Sequence, residues 1–475
     1  MKRIVTTIVL LTGIVAIIHS QNTFKVDYDG GYLDSDEAHC ITATANGGYL
    51  LGGAFYIDDF SWFDAGIMKI SGQGELEWTK TYGAGTFNIE VAYDIFPAAD
   101  NGYMVVTGTD GISGNDDMWV IKIDENGDSL WSKVYGGEGQ EYGSCGLQAA
   151  DGGYLFLGTT NSYGAGFDDI YLVKTDANGN EQWHKTYGTA NLETAGDIEP
   201  TSDGGYIIAG STNGYTDGYV VKTDANGDTL WTKVIGGVFN DMFASVKQTD
   251  DGGYILTGHT IPQGAGEYDV WLVKLDADGN IEWEKTIGGD KKDEGFAVVQ
   301  TLDGGFFITG LSESYHHSDD DSDLYMIKTD ANGDTLWTAH FGGFYDDGGY
   351  AGFQSDDGGF VAAGYYYHPG AALNFYAVKV NAEGTLQVPG NVLFAGDKVS
   401  LFPNPAANYA TIKFSNPGNS LFTLSLISID GKIVKKITDI RENSYKLDVK
   451  DLEQGIYFIH LTDKKEDYWK KIVVE

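Results

Sequence analysis

Along most of the chain, short apolar runs alternate with clusters of Asp, Asn and Gly. The stretch 244–287 shows the pattern. Apolar-rich runs cover 244–249, 254–258, 270–275 and 281–287, and Asp250-Asp251-Gly252-Gly253 and Asp276-Ala277-Asp278-Gly279 separate the first and last pairs. Runs this short read as strands, and the turns suit tight hairpins because Gly and Asn accept positive φ. The unit predicts four antiparallel strands.

It recurs seven times. An aromatic after Gly-Gly or Asn-Gly stands at Tyr49, Tyr103, Tyr154, Tyr206, Tyr254, Phe306 and Phe360, with intervals of 48 to 54 residues. A Lys closing an apolar run stands at Lys69, Lys122, Lys174, Lys222, Lys274, Lys328 and Lys379. Four strands per unit predict an all-β fold, a seven-bladed β-propeller, with a β-helix or an open array of sandwiches as the alternative. Trp78, Trp131, Trp183, Trp231, Trp283 and Trp337 open the fourth strand in six units, and the seventh lacks one. Phe24-Lys25-Val26-Asp27-Tyr28 ahead of Gly30-Gly31 matches Lys133-Val134-Tyr135 ahead of Gly136-Gly137, one residue out of step. The N-terminal segment is therefore expected to complete the seventh blade and hide the open edges of the ring.

Composition agrees: 66 Gly against 8 Pro in 475 residues favours many tight turns. Lys2 and Arg3, an apolar stretch over 4–18, and Ser20 have the layout of a signal peptide. No other segment is apolar enough to span a bilayer, so no membrane span is expected in the mature form. Residues 21–390 hold 58 acids against 16 bases, about −42, within a chain of formal charge −39. Such a body repels nucleic acid and anionic membranes.

The pattern changes after Gly390. Strand-like runs at 411–414, 422–429, 432–437, 455–461 and 470–474 predict a small β-sandwich. Phe402-Pro403-Asn404-Pro405-Ala406, Asp430-Gly431-Lys432, Leu452-Glu453-Gln454-Gly455-Ile456-Tyr457 and Lys470-Lys471-Ile472-Val473 resemble the type A sorting domain of the type IX secretion system, over about residues 395–475. The resemblance marks Pro403, Asn404, Pro405, Gly431, Gly455, Tyr457 and Lys471 as sorting-motif positions. It implies the type IX machinery as partner, cleavage near 388–398, and an extracellular or outer-membrane-surface destination reached through the periplasm. The predicted organisation is signal peptide 1–20, propeller 21–388, linker 389–398 and sorting sandwich 399–475.

The repeat itself resembles bacterial propeller repeats built on Asp-Gly-Gly-Tyr turns. Residues 120–131, VIKIDENGDSLW, are similar to the tryptophan-docking motif of quinoprotein-type propellers, which implies that each Trp packs between neighbouring blades. Acids recur too. Asp36, Glu90, Glu141, Glu193, Asp241, Asp293 and Asp347 precede the first strands. Asp64, Asp117, Asp169, Asp217, Asp269 and Asp323, with Asn374 in the seventh unit, precede the third. Both sets fall on one face of the ring. Hard oxygen ligands suit Ca²⁺, yet seven copies argue for structural caps on backbone N–H groups. Thirteen of the sixteen propeller lysines also sit at repeated places, so they are expected to form internal pairs.

Function is left to what varies. On the same face the loops bring Tyr56, Trp62 and Phe63 from one unit, Tyr315 and His316 from another, and Tyr366 and His368 from a third. Aromatics beside acids suit a glycan or a protein partner. The Asp-Ala-Asn-Gly-Asp turns lack the later ligands of a Ca²⁺ loop. They also resemble the Asp-box of sialidases, but the only arginines, Arg3 and Arg441, lie outside the propeller, which excludes an arginine cluster for a substrate carboxylate. Cys40 and Cys145 occupy one site in blades one and three, too far apart for a disulfide, and are expected as buried free thiols. With no catalytic motif and no required cofactor, the expectation is a non-enzymatic binding propeller. An extracellular polysaccharide hydrolase or lyase on the same scaffold is the alternative.

Overall fold

The computed structural model describes residues 23–28, 35–57, 63–83, 89–109, 116–237, 240–261, 267–315, 321–343, 345–367, 373–386, 399–402, 405–406, 408–414, 420–428, 432–450, 452, 454–462 and 467–474. All regular structure among them is strand. The chain divides into two units, 1–386 and 387–475.

In the first unit, 28 strands form seven four-stranded antiparallel sheets. Blade one is Glu37–Ala43, Tyr49–Tyr56, Phe63–Ile70 and Leu76–Tyr82, and the same order repeats through blade six. Blade seven takes Gly348–Gln354, Phe360–Tyr367 and Leu373–Val380 from the C-terminal side and its fourth strand, Phe24–Tyr28, from the N-terminus. The strand-swap closure expected from the sequence is therefore present, with one correction. Phe24 pairs with Lys379, as Trp131 pairs with Lys122 and Trp183 with Lys174. Phe24 thus stands in the tryptophan position. Tyr28 matches Tyr135, and Val26 rather than Lys25 takes the place of Lys133.

The middle strands are buried on both faces. Tyr154–Thr160 and Asp169–Thr175 have no exposed position. Period-two alternation explains this. Leu155 and Leu157 pack toward blade four with Tyr206 and Ile208, while Tyr154 and Phe156 pack toward blade two with Val106 and Val120. The propeller core is accordingly seven wedges, one per blade junction, and the wedge joining blades seven and one holds Phe24, Leu51, Phe55, Val361 and Phe375.

Each junction is pinned at its outer edge by an aromatic on a turn glycine. A Cβ on Gly227, whose φ is +77°, would lie 2.7 Å from Trp183, and Gly127, Gly179, Gly279, Gly333 and Gly384 stand in the same relation to Trp78, Trp131, Trp231, Trp283 and Trp337. The turn needs positive φ and the ring needs the missing side chain, so only Gly serves both. Phe24 rests on Gly74 of blade one and closes the set. The hydroxyls of Tyr135 and Tyr187 donate across the same junctions to Gly179 and Gly227 carbonyls at 2.7 Å, and Tyr28 donates to Gly74.

Repeated lysines are consumed by this scaffold. Lys122, Lys174, Lys222, Lys274, Lys328 and Lys379 reach Asp100, Asp151, Asp203, Asp251, Asp303 and Asp357 at 2.7–3.0 Å. Lys80, Lys185 and Lys285 cross to Asp128, Asp228 and Asp334 of the next blade.

The second unit is a two-sheet sandwich. Val399–Phe402, Tyr409–Phe414 and Ser444–Asp448 form one sheet, and Phe422–Ser428, Ile433–Ile440, Gly455–Thr462 and Asp467–Val474 the other. Ile412, Phe414 and Leu447 of the first pack with Leu424, Leu426, Ile459 and Ile472 of the second. Of the sorting-motif positions, Tyr457 is buried, Pro405 is exposed, and Gly455 opens its strand. Lys471 lies in the last strand, while Pro403, Asn404 and Gly431 fall outside the described residues.

Closure by Phe24 gives a test. Phe24→Ala should lower stability by about 3 kcal/mol, the low end for loss of a buried aromatic. Phe24→Trp, which installs the residue of the other six junctions, should keep most of it. Urea unfolding followed by tryptophan fluorescence reads both, and an unchanged midpoint for Phe24→Ala would remove Phe24 from the closure.

Candidate functional site

The face that carries the first-strand starts contains the recurring acids, and they are built into the frame. Asp36, Glu90, Glu141, Glu193, Asp241, Asp293 and Asp347 are all buried. Their carboxylates accept backbone N–H groups of the loops. Glu141 takes Gly137 at 2.8 Å, Glu193 takes Thr189 at 2.8 Å, and Asp347 takes Gly343 at 2.6 Å and Tyr367 at 2.7 Å. At five junctions a third-strand acid joins them. A Cβ on Gly188 would meet both Asp169 and Glu193, so two carboxylates flank one missing methyl group, and Gly136, Gly236, Gly288 and Gly342 repeat the arrangement. Burial and the neighbouring charge raise these acids: Asp269, beside Asp293, to about 6, and Asp347, near Asp323, to about 7. The backbone donors aimed at the first-strand acids fit the structural-cap expectation. Among the described residues, no group of three or more His, Cys, Asp or Glu is placed to hold a metal ion.

The described residues among those singled out for ligand contact belong to blades one, six and seven. Tyr56 and Phe63 face each other across one hairpin, ring centroids 5.5 Å apart, in blade one. Tyr315, 43% exposed, stacks on His340 at 5.0 Å and donates to the Gly288 carbonyl at 3.2 Å. Tyr163 of blade three does the same with His184 and Gly136, so Tyr315 has a repeated bracing contact. Tyr366 packs on Tyr376, with Lys25 Nζ 5.5 Å from its ring. Trp62, His316 and His368 fall outside the described residues.

A second variable zone lies on the ring axis, and sequence reasoning missed it. Every innermost strand carries a β-bulge, and the extra residue is His39, Tyr93, Ser144, Gly196, Ala244, Phe296 or Tyr350. Bulges re-aim side chains. These seven line a central cavity of about 240 Å³. Each stands ten residues before its signature aromatic, so aligning the units and asking where they disagree would have found the position.

The cavity is lopsided. His39 stacks on Tyr350 at 4.7 Å and 14°, Tyr93 meets His39 edge-on at 5.6 Å, and Phe296 leans on Tyr350 at 5.2 Å. Blades six, seven, one and two thus form an aromatic arc, and blades three to five oppose it with Ser144, Gly196 and Ala244. Burial lowers His39 to about 4, so its ring is neutral at physiological pH.

Beside the bulges lies a titratable layer. Asp94 accepts the Gly146 N–H at 2.9 Å and is pushed up to about 7 by burial, with Asp197 adding to the rise. Asp197 accepts Ser245 Oγ at 2.9 Å and Lys247 Nζ at 2.8 Å, and Lys247 also reaches Glu199 at 3.1 Å. Burial works to lower Lys247, but the two carboxylates outweigh it and hold the amine charged. Cys40 and Cys145 also line the cavity, both free, Cys40 buried and Cys145 half-buried. Burial first, then the neighbouring acids, push both thiols up, so they are protonated and poor nucleophiles.

Two family models match. Residues 400–475 match the secretion system C-terminal sorting domain, and residues 65–261 match outer membrane protein assembly factor BamB. The sorting domain marks the chain for secretion to the cell surface or extracellular space and implies contact with the type IX machinery. No match was found among curated proteins. Similar solved structures include the Pan2 WD40 domain of Neurospora crassa (10% identity, 72% of this chain and 89% of that one, TM-score 0.46). Sqt1 of Chaetomium thermophilum (11%, 73% and 82%, 0.43) and a puromycin hydrolase (9%, 90% and 59%, 0.49) are others. Among the described residues no helix is long and apolar enough to cross a membrane.

The raised and lowered acids set opposite pH limits. Asp269, Asp347 and Asp94 sit above the ordinary value of about 4, so the folded state binds protons that the unfolded chain has released; their contribution is full below about pH 4 and is lost as pH rises toward 7. Asp203, Asp251 and Asp303 are held at about 2, against burial, by Thr hydroxyls, Gly N–H groups and the repeated lysines, and their contribution is lost as pH falls from about 4 toward 2. Thermal unfolding should therefore show a Tm that declines from about pH 5 to about pH 8. Asp347→Asn should flatten that decline, and a Tm that climbs over the interval contradicts the assignment.

Proposed function

We propose that this chain is an exported, non-enzymatic binding propeller that recognises a glycan or protein ligand on the surface formed by its irregular loops. The supporting observation is a division of labour. Constant positions of the repeat are spent on junction pins, ion pairs and N–H caps, and variation gathers on one face and along the axis. The thiols are protonated and Lys247 is tied into two ion pairs, which supports binding over nucleophilic catalysis. In this reading the repeats are of the bacterial Asp-Gly-Gly-Tyr type, residues 1–20 direct export to the periplasm, and 21–388 form the mature body. The sorting sandwich, 399–475, is removed within the linker 389–398. No cofactor is required; Ca²⁺ is the ion that the loop-face oxygens would take.

The second reading, a polysaccharide hydrolase or lyase, has one observation in its favour. Asp94, near neutral pH in its titration, and Asp197, salt-bridged to Lys247, share one cavity. A carboxyl group raised to near neutral pH with a second carboxyl group in the same cavity suits acid–base work.

Glycan-array binding by the mature protein, repeated with Trp62→Ala and Tyr366→Ala, distinguishes them. Retained fold, lost binding and no turnover on a polysaccharide panel are expected; released product from any polymer sinks the non-enzymatic reading. Deleting 395–475 should leave the protein in the periplasm, read by cell fractionation, and normal surface display would refute the export route.

A further inference from the structure

The axial cavity has a chemistry of its own. Its walls offer hydrogen-bond acceptors in excess of donors. Asp94 and Asp197 contribute two carboxyl groups, and the one ammonium of the lining, Lys247, is already shared between Asp197 and Glu199. Opposite stand aromatic rings, whose faces carry negative quadrupole potential. His39 adds no charge, because burial keeps it neutral. A neutral sugar of similar size would need donors as well as acceptors, and a carboxylate ligand would meet only repulsion.

We propose that the channel inside the aromatic arc of His39, Tyr93, Phe296 and Tyr350 binds an alkylammonium group, with Asp94 as its carboxylate partner. The group enters as a free amine or at the end of a lysine side chain of a protein ligand. This deepens the binding-protein reading and rests on it. Three features converge. The cavity, about 240 Å³, is smaller than the ~300–1,000 Å³ of drug-sized sites and fits a compact head group. Tyr93 is 42% exposed although it belongs to an innermost strand, so the arc presents open ring surface. The propeller body, near −42, raises the local concentration of cations and speeds their entry.

Asp94 also gives the site a signature. It shares the layer with Cys40, Cys145, Asp197, Glu199 and Lys247 from four other blades, and with the Gly146 N–H. The thiols stay neutral and Lys247 stays charged around neutral pH. Asp94, raised to about 7, is poised to change charge there. A cation favours its ionised form, so binding releases a proton below about pH 7 and tightens as pH rises.

The test is calorimetric titration of the full mature chain in about 0.15 M salt with n-butylammonium, with n-butanol and glucose as neutral controls. Nα-acetyl-lysine amide separates a peptide source from a free amine. One site per chain is expected, with affinity about tenfold higher at pH ~8 than at pH ~5.5 and no heat from either control. Asp94→Asn should remove the pH dependence and weaken binding, and Ala244→Trp should block the cavity while leaving the arc intact. Circular dichroism checks that each variant folds. Absence of heat from both ammonium probes, equal binding of n-butanol or glucose, or a pH dependence that survives Asp94→Asn overturns the proposal. A chain that binds glycan arrays yet gives no ammonium heat overturns the channel site alone and leaves the binding-protein reading standing.

Discussion

The structure depends on one contact made seven times: an aromatic from the outer strand of one blade laid on the turn glycine of the next. A blade alone buries little, since a four-stranded sheet has two apolar faces and nothing to cover them. Stacking blades covers both faces, but only a closed ring covers them all. Trp183 on Gly227 is one link, and Phe24 on Gly74 is the link that returns the chain to its start. Around each link the polar groups are settled locally. Tyrosine hydroxyls reach turn carbonyls, and lysines reach turn aspartates of the same or the next blade. The pin fixes the distance between blades at the rim, and the bulged inner strands fix it at the axis.

Because the apolar core lies in the wedges between blades, the axis is not needed for stability. The bulge position illustrates this. The bulge residue passes through His, Tyr, Ser, Gly, Ala, Phe and Tyr around the ring. No packing rule produces that series. It gives the cavity a large-residue half and a small-residue half, and a symmetric scaffold thereby acquires an asymmetric interior.

How much was legible in the sequence follows from this. Repetition amplifies any position whose chemistry every blade needs, so the tryptophans, the paired lysines and the capping acids stand out, and the blade count with them. The closing strand was legible in outline and wrong in register, because Phe replaces Trp at position 24 and Lys25 mimicked the lysine two places after each Trp. The sandwich was legible from its short strands, except for Val399–Phe402, only four residues long, and Ser444–Asp448, whose run Ser-Tyr-Lys-Leu-Asp is too polar to announce itself. The channel was missed because a bulge is a property of register between two strands and leaves no composition of its own; only disagreement among the aligned units marks its position. Tyr315 shows another limit: its stack on His340, repeated by Tyr163 on His184, is a contact between segments distant in sequence that no local pattern announces.

Charge supplies the last constraint. Twelve of the sixteen propeller lysines are fixed at repeated positions; of the four that are not, Lys25 lies in the closing strand and Lys247, Lys291 and Lys292 belong to blade five or its link to blade six. Lys247 is neutralised by Asp197 and Glu199, and Lys292 pairs with Glu294 at 2.9 Å. The excess acid therefore has little basic charge left to balance it on the propeller itself. Burial first, then one neighbouring acid each, Asp323 for Asp347 and Asp197 for Asp94, disfavours the ionised carboxylate, and both rise to about 7. Protonation is the remedy available to the protein alone. At the blade junctions backbone donors share the burden, and a proton completes it. On the axis, where the wall opposite Asp94 is aromatic and the cavity is open, a cationic guest would do the same work, and the same electrostatic deficit that strains the scaffold becomes a means of recognition.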